Sequence, residues 1–191
     1  MKKEIVLAAI MGLFLGFVGG NALQSTTVET NPIEEYYTNA AATLVSPHHL
    51  RQEMDKGADD FILVDLRTEA EYEEEHIVGA INIDASLSRE EIVERFRTLE
   101  LDEKEIIIYC YSAACMTGRK VGAMLAREGV YVKEMTIGWN EWRYDFMSWN
   151  YPSEWEGLDP SIYVVSGSEP GELELPEGLL PSGCDIEGEF G

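Results

Sequence analysis

The sequence predicts an α/β domain with a small, central, mainly parallel sheet and helices on both faces. Short apolar runs alternate with stretches of helical periodicity, which is the pattern of strands joined by crossover helices rather than by hairpins. The apolar runs lack polar alternation, as expected of strands covered on both sides. Helix-start residues stand in front of the helical stretches, and right-handed crossovers then carry each strand back beside an earlier one.

Each element has its own warrant. Ser46 followed by Pro47 reads as an N-cap with a first-turn proline, opening a helix through Leu50 and Met54 that stops at Gly57. Phe61 to Asp65 is a buried strand, and Thr68 caps a short helix, Glu69 to Glu75, whose early acids suit the helix dipole. Ala80 to Ile83 is a second apolar run. Ser88 with Glu91 forms a capping box before Ile92, Val93, Phe96 and Leu99 at helical spacing. Ile106 to Tyr109 is a third strand. Lys120 to Arg127 is rich in helix formers, with a stripe of Val121, Met124 and Leu125 and a stop at Gly129. Tyr131 to Ile137 is a fourth strand, and Trp139 to Trp149 a last, aromatic helix facing the core.

The ends lie outside this pattern. Residues 1–23 read as a signal peptide or membrane anchor: Lys2 and Lys3 precede Ile5 to Leu23, which is uncharged and approaches the roughly 20 residues of a bilayer span. Gly19, Gly20 and Ala22 permit cleavage after Ala22; an uncleaved anchor is the alternative. Either way the body is expected outside the cytoplasm, whether periplasmic, cell-surface or secreted, with membrane contact only through this segment. Residues 24–45 read as a polar linker, 46–149 as the domain, and 150–191 as an acidic Pro/Gly-rich extension. Within the extension Ile162 to Val165 is a candidate edge strand, and Tyr151 and Trp155 are candidates to dock on the domain.

The 36 acidic residues against 14 basic ones give a formal charge of -22, which excludes a nucleic-acid partner because phosphate binding needs clustered Lys and Arg. Oligomeric state leaves no mark in the sequence. Cys110, Cys115 and Cys184 are too few for a disulfide framework, and His48, His49 and His76 stand at no recognised metal spacing to them, so neither metal nor cofactor is expected. The chemistry concentrates in Tyr109-Cys110-Tyr111-Ser112-Ala113-Ala114-Cys115-Met116-Thr117-Gly118-Arg119. A loop between a strand end and a helix start turns free N–H groups toward the positive end of the helix dipole, where they stabilise a thiolate, a persulfide or an oxyanion. Cys110 and Cys115 are therefore the catalytic candidates. Tyr111, Ser112, Ala113, Ala114, Met116, Thr117 and Arg119 are the candidate substrate-binding residues. The alternative for Cys110 is a buried structural thiol.

Leu63-Val64-Asp65-Leu66-Arg67, Glu71-Tyr72, His76-Ile77-Val78-Gly79-Ala80-Ile81-Asn82-Ile83, Ile107-Ile108-Tyr109-Cys110 and Gly138-Trp139-Asn140-Glu141-Trp142, in that order, resemble the rhodanese-like domain. The resemblance implies a small α/β fold and sulfur transfer. A cysteine at the position of Cys110 takes a sulfane sulfur from a small donor such as thiosulfate or polysulfide and passes it, as a persulfide, to a thiol acceptor. It also implies that Asp65, Arg67, Glu71 and His76 are structural, with Arg67 in a salt bridge. The family's loop runs cysteine, four residues, arginine, with a glycine inside. Here Cys115 takes the arginine's place, Ala113 the glycine's, and Arg119 lies four residues further on. These departures point to a dithiol scheme in which Cys110 attacks and Cys115 resolves. A second register, Cys115-Met116-Thr117-Gly118-Arg119, makes Cys115 the nucleophile instead. Related phosphatases need arginine six residues after the cysteine, where Met116 and Val121 stand. Two other readings remain open: a non-catalytic binding module presenting Trp139, Trp142, Trp149 and the acidic tail, and a thiol–disulfide redox protein.

Overall fold

The computed structural model describes residues 31–99, 104–152 and 158–176. The leader reading of residues 1–23, Trp155 and Cys184 lie outside these residues. The chain divides into two compact units, Met1–Tyr37 and Thr38–Gly191. In the described residues the first unit contributes only the start of helix α1, Pro32–Thr43, where Ile33, Tyr36 and Tyr37 are exposed. Among the described residues no helix is long and apolar enough to cross a membrane.

α1 and the strand after it, β1 (Leu44–Val45), correct the reading of residues 24–45 as a linker over its described part, from residue 31 onward. The physical signals are local. Asn31 caps the helix by accepting the Ile33 N–H at 3.1 Å, Pro32 suits the first turn, and Ala40 to Ala42 are strong helix formers. From there the order is α2 (Pro47–Asp55), β2 (Phe61–Asp65), α3 (Glu69–Glu74), β3 (His76–Ile77), β4 (Ile81–Asn82), α4 (Arg89–Leu99), β5 (Glu105–Tyr109) and α5 (Thr117–Arg127). Then come β6 (Lys133–Met135), α6 (Trp139–Tyr144), α7 (Phe146–Trp149), a 3-10 turn at Pro160–Tyr163, and β7 (Val164–Val165).

The main sheet has five strands in the order β1-β6-β5-β2-β4, all pairs parallel. Side chains alternate across a strand, and β5 sorts them cleanly. Ile107 and Tyr109 join Leu63, Leu50, Trp139 and Trp142 on one face, whereas Ile106 and Ile108 join Val64, Ile92, Phe96, Val121 and Leu125 on the other. Helices therefore cover both faces. The residue that continues β5 is Cys110, so its side chain falls on the α4/α5 face, in the second of these cores.

Two expectations change in the last third of the chain. The aromatic helix expected over Trp139 to Trp149 is two short helices broken at Asp145, whose backbone leaves the helical region (φ -133, ψ 45). The break lets the Trp149 indole fold back to donate to the Glu141 carbonyl at 3.0 Å and stack on Trp142, with ring centroids 4.6 Å apart. The acidic extension is woven into the domain where it is described. β7 pairs antiparallel with β3 in a separate two-stranded sheet rather than at the edge of the main one. Tyr163 is 1% exposed, and its hydroxyl donates to Asp55 at 2.6 Å, beside the buried Arg51–Asp55 pair. An average over many Glu and Pro residues conceals the one apolar run, Ile162 to Val165, that finds a buried seat.

Candidate active site

The loop Cys110 to Met116 joins the end of β5 to the start of α5, beyond the carboxyl ends of the parallel strands. Its backbone is held from outside by the segment that opens α6. The Trp139 N–H donates to the Cys110 carbonyl at 2.8 Å and the Asn140 N–H to the Tyr111 carbonyl at 2.9 Å. One Glu141 carboxylate oxygen accepts both the Gly138 N–H at 3.0 Å and the Ala113 N–H at 3.2 Å. Such proximity requires glycine at 138. A Cβ there would lie 2.2 Å from the Ser112 nitrogen and 2.6 Å from the Cys110 oxygen, distances no side-chain carbon tolerates. The Gly138-Trp139-Asn140-Glu141 motif is thus a buckle for the loop. The motif is legible in the sequence, but its partner across the fold is not, so Gly138 and Glu141 emerge as site residues only in the structure.

The two thiols meet. Their sulfurs are 2.9 Å apart, in hydrogen-bond contact, with both cysteines free. Their surroundings differ. Cys110 is 5% exposed, packed with Val121 and Leu125, while Cys115 is half-buried at the turn into α5. Burial, and the proton that Cys110 keeps directed at Cys115, push the Cys110 thiol up to about 12. Burial alone would raise Cys115 too. The Cys110 S–H, the Thr117 hydroxyl and amide, and the Tyr111 amide nevertheless bring it below the ordinary thiol value.

The expected inward-facing amides are therefore present in part. Tyr111 and Thr117 direct N–H groups at sulfur, whereas the Ala113 N–H is taken by Glu141 and the Cys115 N–H by the Ser112 carbonyl at 2.9 Å. Ala114 and Met116 are exposed on the loop. A cavity of about 60 Å³ adjoins both thiols, lined also by Ser112, Ala113, Arg119 and Glu134. Arg119 is half-exposed and paired with Glu134 at 3.5 Å, and it also reaches the Met116 sulfur at 3.7 Å. Burial raises the Glu134 carboxyl above its usual range against the pull of Arg119.

The motif residues further from sulfur hold the frame. Arg67 grips Asp65 through three contacts of 2.7 to 3.1 Å, donates to the Glu75 carbonyl, and lies 4.3 Å over the Trp139 ring. Each ring nitrogen of the fully buried His76 faces a carbonyl oxygen, Tyr72 at 2.7 Å and Glu169 at 3.1 Å. Glu71 completes the capping box with Thr68 and also accepts the Tyr111 hydroxyl, tying α3 to the active loop. That bond, together with burial, pushes Tyr111 up to about 12. Among the described residues no group of three His, Cys, Asp or Glu side chains comes together to hold a metal.

Comparison with known proteins agrees with this architecture. The rhodanese-like domain matches residues 46–145. The crystal structure of the BH2092 protein from Bacillus halodurans is 33% identical, with a TM-score of 0.51 over 61% of this chain and 83% of its own. That of a full-length protein from Lactobacillus plantarum is 18% identical, with a TM-score of 0.50 over 61% of this chain and 92% of its own, a likeness of fold alone. A stretch of 86 residues is 35% identical to the HTH-type transcriptional regulator Rv0324 of Mycobacterium tuberculosis. It covers 45% of this chain and 36% of that protein, so the chain spans about a third of the length of this curated relative.

Proposed function

The chain belongs to the rhodanese-like domain family, and from that premise we propose that it is a sulfurtransferase that carries a sulfane sulfur on the Cys110/Cys115 pair. The observation that carries the proposal is the convergence of the Tyr111 amide and of the Thr117 amide and hydroxyl on two adjoining sulfurs at the mouth of α5. A persulfide is an anion at neutral pH, and fixed N–H and O–H dipoles stabilise it without a cationic side chain.

The donor fits best as a polysulfide or a small persulfide. The three sulfonate oxygens of thiosulfate call for a forked cationic donor that bare sulfur does not, and the cavity's Arg119 is already paired with Glu134. In the first step a thiolate attacks the sulfane sulfur of the donor. A sulfur–sulfur bond forms to the protein, the donor's own sulfur–sulfur bond breaks, and the shortened donor leaves with the electron pair. A thiol acceptor then takes the sulfur. The basic start and the uncharged apolar run in residues 1–23 support the proposal that the body works outside the cytoplasm.

The test is to incubate the reduced chain with inorganic polysulfide and weigh it. A gain of one sulfur by the native chain or by its Cys110→Ser or Cys115→Ser variant, reversed by dithiothreitol and absent from the Cys110→Ala/Cys115→Ala double variant, is the expected result. No gain of sulfur by any of the three overturns the proposal. The short approach of the thiols favours a second reading, simple dithiol–disulfide exchange, which would show a reducible pair and no sulfur gain even in the single variants.

A further inference from the structure

We infer that Cys115 is the thiol that takes up sulfur and that Cys110 is the resolving thiol, which discharges the sulfur as sulfide. The inference rests on the sulfur-carrying reading above and reverses the roles expected from the loop's position in the family.

Access, donors and the shape of the loop support it. A donor must reach the nucleophilic sulfur, and Cys110 is 5% exposed in an apolar core while Cys115 is half-buried on the open side of the same contact. Cys115 directly precedes Met116, the N-cap residue of the eleven-residue α5, whose cap position offers no side-chain hydrogen bond of its own. The first N–H groups of that helix are left for an anion on the loop. The Tyr111 amide and the Thr117 hydroxyl favour charge on both sulfurs, but burial outweighs them at Cys110, whereas at Cys115, with the Thr117 amide and the Cys110 thiol added, they prevail. The buried Cys110 sits 2.9 Å away, close to the 2.05 Å of a sulfur–sulfur bond, so no large rearrangement separates contact from bond formation.

The steps balance. The Cys115 thiolate attacks the terminal sulfane sulfur of a polysulfide, the donor's sulfur–sulfur bond breaks, and Cys115 becomes a persulfide anion. The Cys110 thiol then attacks Cys115 Sγ, and the Cys110–Cys115 disulfide forms as the bond to the outer sulfur breaks. The outer sulfur leaves with the electron pair and with the proton that Cys110 gives up, as hydrosulfide. Two thiols are oxidised and one sulfane sulfur is reduced. Restoring the pair requires a dithiol reductant, which exchanges its two thiols for the disulfide. The partner that this site needs is accordingly a reducing dithiol, and a monothiol acceptor turns it over poorly.

The experiment treats the reduced full chain and its single variants with inorganic polysulfide in the absence of oxygen. The native chain is expected to release one sulfide and lose the Cys110 and Cys115 thiols together, with continued release only when a dithiol is added. Cys110→Ser is expected to retain a persulfide on Cys115, located by peptide mass, and to release no sulfide. Cys115→Ser is expected to take up sulfur at least tenfold more slowly. Uptake at equal rates by the two variants, or by Cys115→Ser alone, overturns the order while leaving sulfur carriage intact. Uptake by none of the three chains overturns sulfur carriage and the order with it. Limited iodoacetamide labelling of the native chain does not depend on how the variants fold: first label on Cys115 supports the order, and first label on Cys110 overturns it.

Discussion

Cys110 and Cys115 are the same residue type, five positions apart, and their surroundings drive them in opposite directions. The lever on Cys115 is Thr117, whose hydroxyl and amide both donate to its sulfur. Thr117→Val removes one donor to a charged group, worth about 1.5 kcal/mol or more, and so about one pKa unit. Its expected effect is a roughly tenfold fall in iodoacetamide labelling at neutral pH, with the labelling curve moved to higher pH. The sign follows from Cys115 lying below the ordinary thiol value: in the native chain its reactivity extends to lower pH than an ordinary thiol's and is lost as pH falls through that lowered value. Cys110 is the opposite case. Its raised value means that its contribution to stability is complete below the ordinary thiol pKa of about 8.5 and is lost as pH rises toward about 12. Urea unfolding of the reduced chain across that range should show a slope that Cys110→Ala lacks.

At the scale of elements, the buckle between the active loop and the start of α6 decides whether the two thiols meet. Gly138→Ala places a carbon against the Ser112 backbone and is expected to cost on the order of 1–3 kcal/mol in urea unfolding. Because the loop is then displaced, it should also lower sulfur uptake by far more than the lost stability explains. Glu141→Gln keeps the volume but replaces a charged acceptor shared by the Gly138 and Ala113 amides. Its expected cost is about 1–2 kcal/mol, with native-state hydrogen exchange at Ala113 rising selectively. Most elements were legible from local signals: the Ser46 cap, the Thr68–Glu71 and Ser88–Glu91 boxes and the run Phe61 to Asp65 all lie where the sequence placed them. Two features were not legible, for different reasons: the local cap and helix formers of α1 are masked by the polar residues around them, and the break at Asp145 answers to Trp149 stacking on Trp142, a contact that local periodicity does not encode.

For the molecule as a whole, the described part of the acidic extension closes the face opposite the thiol core. Tyr163 fills the core with Trp142 and Leu50, the Gly79 N–H reaches the Pro170 carbonyl at 2.6 Å, and the Gly167 N–H reaches the Glu73 carbonyl at 2.8 Å. Tyr163→Ala is expected to cost about 3–5 kcal/mol, comparable with a large core truncation, whereas Tyr163→Phe removes a donor to Asp55 and an acceptor for Arg51 and costs about 1–3 kcal/mol. Thermal or urea unfolding of the two variants separates packing from hydrogen bonding. The sequence by itself determined the α/β alternation, the mainly parallel frame with a cysteine at the end of its buried strand β5, and the presence of a second cysteine where an arginine was expected. Those features are written in periods, caps and residue types, which act over one turn of helix or one strand. Only the tertiary structure decided that the tail belongs to the fold, that Glu141 and Gly138 hold the loop, and which thiol is buried and which is poised. Each of these depends on groups far apart in sequence sharing a dry contact, and a sulfur's charge is set by the donors and solvent that folding brings to it.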